Sequence, residues 1–196
     1  MAARILVAYA TRNGSTAEIA AAVGKELESA GNTVDVIAIK SVPTVAGYDA
    51  VVIGGPMYMG KFIGEVAKFV GKHKDPLGKV PVAAFAVGMA PVSKDPKQIG
   101  RMMKSLTDAV APIIPVAETV FAGRLEPAQL NFVIRKFMEV AKIPAGDFRD
   151  WDAIAAWARE VAGKIRRQRV EKHRTGGDSF QMDRMLDYSL FFSYFP

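Results

Sequence analysis

The sequence predicts a three-layer α/β/α sandwich around a five-stranded parallel sheet of order 2-1-3-4-5, with an additional helix after the fifth strand. Three observations carry this expectation. Short, nearly continuous apolar runs rich in Val and Ile alternate with helical patterns along the chain, the alternation that builds a parallel sheet covered on both faces. Half of the 196 residues are hydrophobic and none is Cys, so one domain can bury a substantial core without disulfides. Right-handed crossovers then make the doubly wound order the natural one for five strands, with ligands expected at its switch point.

The strand-like runs are RILVAYA (4–10), TVDVIAI (33–39), DAVVIGG (49–55) and VPVAAFAVG (80–88), each expected to be buried on both faces. A fifth, IIPVAETVFAG (113–123), is less regular, and its Pro115, which lacks a backbone donor, points to an edge. Between them, Ile19, Val23 and Leu27 fall at helical spacing before Gly31, a C-terminal stop signal. Phe62, Val66, Phe69 and Val70 mark a second helix, and 95–110 form a poorer third. Leu130, Val133, Ile134, Phe137 and Met138 make an apolar stripe after Pro127, which suits a first turn. A last helix begins near Asp150 and buries Trp151, Ile154, Ala155, Ala158, Val161 and Ile165.

The loop after the first strand carries the chemistry. Thr11, Arg12, Asn13, Gly14, Ser15 and Thr16 crowd hydrogen-bond donors into six residues at a helix start. Ser15 and Glu18 fit the S-x-x-E capping box, which closes a first turn with no ligand. The same place, with free N–H groups, a positive dipole end and hydroxyls, also suits a phosphate. Both readings stand on the residues alone.

Placed directly after strand one, TRNGST (11–16) resembles the S/T-x-T-G-x-T phosphate loop of flavodoxins, with Asn13 where Thr is usual. The chain lacks the G-x-x-x-x-G-K pattern of nucleoside triphosphate loops. GGPMYMGKF (54–62) resembles the flavodoxin segment that lays an aromatic ring beside the flavin. The resemblance implies FMN as cofactor and a flavodoxin-like fold. It places the phosphate at residues 11–16 and the ring beside Pro56, Met57, Tyr58, Met59 and Gly60, with Tyr58 or Met57 as the contact. Val87, Gly88 and Met89 in AVGMAPVSKDP (86–96) then offer backbone groups to the ring edge. That third loop has no aromatic residue, and Lys61 and Lys94 border the site where flavodoxin carriers have carboxylates. The expected consequences are a flavin face open to substrate and a preference for two-electron turnover.

Within the family, MYMGKFIGEVAKFVGKH (57–73), VFAGRLEPAQLNFVIRKFMEVA (120–141) and DFRDWDAIAAWAREVAGKI (147–165) resemble the flavodoxin-like menaquinone-dependent protoporphyrinogen oxidases. The implied function is an FMN-dependent oxidoreductase passing electrons from a small-molecule or redox-protein donor to a quinone. No acid or base side chain is required of such an enzyme, because the flavin carries the hydride chemistry. His73, between Lys72 and Lys74, reads as solvated and idle, as does His173, and no metal site is expected. Two alternatives are a flavodoxin-type soluble electron carrier and a flavin-free interaction module of the same fold.

The net charge of +6 is local: residues 164–174, KIRRQRVEKHR, carry +5 and residues 1–163 only +3. A nucleic-acid partner is therefore not expected. The domain division reads as 1–165 for FMN binding and 166–196 for a basic helix extension and tail. The tail, 175–196, holds six of the eighteen aromatics, so it should pack on the protein, on a second subunit as a homodimer, or on a membrane surface beside the basic run. The start of the chain does not read as a signal peptide and no run is long enough to span a bilayer. A cytoplasmic location is expected, peripheral at the inner face of the membrane if the tail docks there.

Overall fold

The computed structural model describes residues 2–58, 61–126, 136 and 145–174, for Tyr58, His173 and Arg174 the backbone only. The strands are β1 (Arg4–Tyr9), β2 (Thr33–Ala38), β3 (Ala50–Tyr58), β4 (Lys61–Phe62), β5 (Val82–Gly88) and β6 (Ala117–Ala122). The last two, β7 (Arg124–Leu125) and β8 (Gly146–Asp147), form a separate antiparallel ribbon. The helices are α1 (Ser15–Ser29), α2 (Gly64–Lys72), α3 (Lys74–Leu77), α4 (Ala90–Ser93), α5 (Pro96–Val110) and α6 (Trp151–Arg174). Five parallel strands run in the order β2-β1-β3-β5-β6, the expected doubly wound sheet, with β4 attached to β3.

Alternate residues of the central strands feed two cores, as the period of two requires. Ile5, Val7, Val52, Ala83 and Phe85 face α1 and α6, meeting Ile19, Val23, Leu27, Ile154, Trp157 and Val161. Leu6, Ala8, Val51, Ile53, Ala84 and Ala86 face α2 and α5, meeting Val66, Phe69, Val70, Met102 and Leu106. Phe85, Phe121 and Trp157 pack mutually with ring centroids 5.6–5.8 Å apart. Phe85 lies over Gly54, where an added Cβ would sit 2.1 Å from the ring. A side chain there would dislodge the largest fully buried residue of the sheet.

Several details depart from the sequence expectations. β2 is an edge strand and is only partly buried, with Val36 38% exposed, because no strand covers its outer side. Its Asp35 accepts from Tyr48 Oη at 2.8 Å and Arg4 Nη2 at 3.0 Å. These bonds, Tyr48's first, hold the Asp35 carboxyl below its ordinary range. β6 is also an edge strand, but it starts at Ala117, so Pro115 precedes it.

Trp151 is 44% exposed rather than buried, and Ala155 is only partly buried. The buried stripe of α6 is Ile154, Trp157, Ala158, Val161, Ala162 and Ile165, while Arg149 covers the Trp151 ring at 4.5 Å. α6 runs unbroken across residues 165 and 166. His73, expected in solvent, is buried against Phe69 with ring centroids 4.8 Å apart. Burial, then Lys72, lowers its pKa from 6.5. The proposed helix at 127–142 and the tail at 175–196 lie outside the described residues. Among the described residues, no helix is long and apolar enough to cross a membrane.

Candidate functional site

β1, β3 and β5 end at the same pole of the sheet, and the chain reverses direction in strand order on either side of β1. The crevice at that switch point is where open α/β sheets bind ligands. Ala10 continues β1 by donating its N–H to Gly54 O at 2.9 Å. Thr11 Oγ1 then accepts from Gly14 N at 3.2 Å and closes the turn into α1.

Gly14 is the N-cap residue of α1, at φ +82°, a left-handed conformation that glycine adopts without strain. No side chain caps the helix. The first intrahelical bond runs from Glu18 N to Gly14 O at 3.1 Å, so the N–H groups of Ser15, Thr16 and Ala17 have no acceptor within the helix. The nearest atom to a Cβ on Gly14 would be Glu18 Oε1, at 3.9 Å. An oxyanion can approach such a helix start closely and meet converging amides at the positive end of the dipole.

The capping box does not form. Ser15 is already helical, one position too far along to be the N-cap. Its Oγ accepts from Arg124 N at 3.0 Å. Glu18, instead of reaching back, pairs with Arg124 Nη2 at 3.0 Å and with Arg149 Nη1 at 2.6 Å. Arg149 is nearly buried and also bonds both oxygens of Asp147, at 2.7 and 2.5 Å. Those bonds pull the Asp147 carboxyl down to about 2 and raise the Arg149 pKa above its ordinary value.

Both arginines stand at the β7–β8 ribbon. Gly123 N anchors its start to Gly88 O at 3.1 Å, and Phe148 N donates to Gly123 O at 3.3 Å. Arg124, Glu18, Asp147 and Arg149 are therefore neighbours of the first loop that local sequence did not reveal. Their partners lie 106 and 131 residues apart.

The expected second loop is largely strand. β3 continues to Tyr58 and turns back onto β4, pairing Met57 with Phe62 and Tyr58 with Lys61. Ile63 N donates to Pro56 O at 3.2 Å, and Ser105 Oγ accepts from Phe62 N at 3.1 Å. Met57 packs on the α2–α5 core and against Gly88, so its side chain already has a place. The Tyr58 side chain, Met59 and Gly60 lie outside the described residues. In the third loop, Val87 is buried and paired on both sides in the sheet. Gly88 ends β5, and Met89 is the N-cap residue of the short helix α4. Lys61 and Lys94 are exposed, the latter at φ +53° just after α4. Thr11 is partly buried, and Arg12 and Asn13 are exposed at the loop tip.

The structure thus brings residues 11–16 to the same pole of the sheet as the ends of β3 and β5. The opposite pole holds a cavity of about 160 Å³ between Tyr48, Asp49, Lys79, Arg169 and Lys172, small beside ordinary cofactor pockets of about 300 Å³ and more. Among the described residues no group of three or more His, Asp or Glu side chains could hold a metal ion.

The parallel sheet and its strand order define an α/β protein of the doubly wound class. Residues 6–152 match the flavodoxin domain family, and the chain belongs to that family. It is 28% identical over 173 residues to the protoporphyrinogen IX dehydrogenase [quinone] of Escherichia coli K12, covering 81% of this chain and 94% of that one. Solved flavodoxins share the fold. One from Streptococcus pneumonia TIGR4 superposes with a TM-score of 0.53 at 16% identity, over 85% of this chain and 99% of its own. One from the domain Archaea gives 0.51 at 16% identity, over 83% and 99%.

Proposed function

We propose that this protein is an FMN-dependent oxidoreductase that passes electrons from a reduced donor to a quinone. The observation that carries the reading is the uncapped start of α1, with Gly14 in the left-handed region at the carboxyl end of β1. In this reading the N–H groups of Ser15, Thr16 and Ala17 hold the FMN phosphate, and Thr11, Arg12 and Asn13 close over it. Pro56, Met57 and Tyr58, with Met59 and Gly60, border the ring on one side, and Gly88 and Met89 offer main-chain groups on the other. Val87 supports that edge from inside the core. FMN supplies the hydride and electron transfer when bound, and the protein binds and orients it.

The quinone acceptor and a porphyrinogen donor are suggested by the named activity of the Escherichia coli relative, which this chain matches over nearly all of that protein's length. The exposed Lys61 and Lys94 favour electron acceptance by the bound group, since positive charge stabilises added negative charge. The purified protein is expected to be yellow and to release FMN on denaturation, and to oxidise a porphyrinogen when a quinone is supplied. A colourless protein that takes up no FMN removes the proposal. FMN uptake without porphyrinogen oxidation leaves the cofactor and removes the donor.

Contact of 164–196 with an anionic membrane surface belongs to the same proposal. The basic end of α6 reaches Lys79 and Asp49, at the amino ends of the strands. Attachment through that end holds the first loop facing away from the bilayer. Co-sedimentation with anionic vesicles that is unchanged on deleting 175–196 removes the tail from this contact.

A further inference from the structure

We infer that Arg149, with Arg124, is a positioning latch that holds the Glu18 carboxylate off the free N–H groups at the start of α1 and so keeps them available to a phosphate. The inference rests on the FMN reading above and adds the reason the cup is not filled by the protein itself. Glu18 lies within one turn of three N–H groups that lack an intrahelical acceptor. A carboxylate in that turn is drawn toward the positive end of the dipole. Left alone, Glu18 would compete with any phosphate for those donors.

Glu18 Oε1 stands at the lip of the cup, 3.9 Å from where a Cβ on Gly14 would lie, but its bonds go to the two arginines and not to those N–H groups. Arg149 Nη1 takes Glu18 Oε2 at 2.6 Å and Arg124 Nη2 takes Oε1 at 3.0 Å. Both carboxylate oxygens are therefore engaged by cations. Arg149 is itself fixed by Asp147 through two side-chain bonds and is only 4% exposed, so it cannot follow Glu18 toward the cup. Arg124 is tied to Ser15 through its own backbone N–H. That bond occupies Ser15 Oγ as an acceptor and leaves the hydroxyl proton to donate elsewhere. The residues of the β7–β8 ribbon thereby reach the first turn of α1.

The test is titration of the full-length apoprotein with FMN and, in parallel, with riboflavin, which lacks the phosphate. Arg149→Met should weaken FMN binding about 10-fold and leave riboflavin binding within about 2-fold. Adding Glu18→Gln to Arg149→Met should restore FMN binding to near the wild-type value, because the competing charge is gone. Glu18→Gln alone should bind FMN as tightly as wild type or somewhat tighter. An unchanged FMN affinity in Arg149→Met, or a double variant that is not rescued, overturns the latch.

Should Arg149→Met fail to fold by circular dichroism, Glu18→Gln decides. A loss of FMN affinity there shows a structural brace and overturns the inference, and retained or tighter binding supports it. Wild-type protein that binds no FMN removes the functional reading and the latch together. Wild-type binding with an insensitive Arg149→Met removes the latch alone.

Discussion

Two helices start at the same pole of the sheet and end their first turns in opposite ways. α5 is closed by its own sequence: Asp95 accepts from Lys97 N at 2.9 Å, and Pro96 fills the first helical position. α1 has Gly14 at its N-cap and no side-chain acceptor at all. A helix start without a cap forgoes stabilisation of about 1 kcal/mol, and the chain does so at the switch point of the sheet. The contrast separates a helix end closed by its own side chain from one that, on the proposed function, is left for the phosphate. α3 provides a third case. Its N-cap His73 also gives no side-chain cap, but the site is buried against Phe69 and offers no approach to a ligand.

The comparison breaks most visibly if α1 is made to resemble α5. Gly14→Asp places a carboxylate at the cup and should weaken FMN binding at least about 100-fold by occupying the donors and repelling the phosphate. Binding within a few-fold of wild type would show that the phosphate is held elsewhere. The converse change is Asp95→Ala. It should lower the melting temperature by about 2–4 °C and leave FMN affinity unaltered. An equal loss of FMN binding would mean the two helix starts are not independent.

The buried start at His73 has its own signature. Its pKa is lowered from 6.5 by burial, so the unfolded state binds its proton more readily than the folded state does. Stability should be undiminished by this group above about pH 7 and should fall as pH drops through 6.5 toward the lower folded value. His73→Leu should flatten the melting temperature between pH 7 and 5 relative to wild type. A slope as steep as wild type would assign the acid sensitivity to other groups. The smallest effect concerns the rim: Lys94→Glu should lower the reduction midpoint of the loaded protein by tens of millivolts, less at high salt. A midpoint that does not move places Lys94 too far from the flavin to matter.

The sheet was legible because each central strand is buried on both faces, which demands an unbroken apolar run such as ILVA at 5–8 or AAFAV at 83–87. The turn into α1 at residues 11–16 was legible for a similar local reason, short polar side chains and a Gly packed before a helix. What escaped depends on distant partners. Ser15 and Glu18 have capping-box spacing, yet residues from beyond position 120 take both side chains. Trp151 stands at helical spacing from Ile154, but Arg149 lies over it and Trp157 takes the core place. Pro56 and Met57 lie past the apolar run at 49–55, yet β3 carries on through them to pair with β4. His73 is flanked by lysines in sequence while its ring points at Phe69. Short-range pattern sets the elements, and tertiary contacts then decide which polar groups stay open.

The most direct measurement of the central claim is the ratio of FMN to riboflavin affinity for the wild-type apoprotein. The two ligands share the ring and differ in the phosphate, so the ratio reports the start of α1 alone. FMN should bind at least about 100-fold more tightly. Equal affinities would contradict a phosphate seated on the amides of Ser15, Thr16 and Ala17.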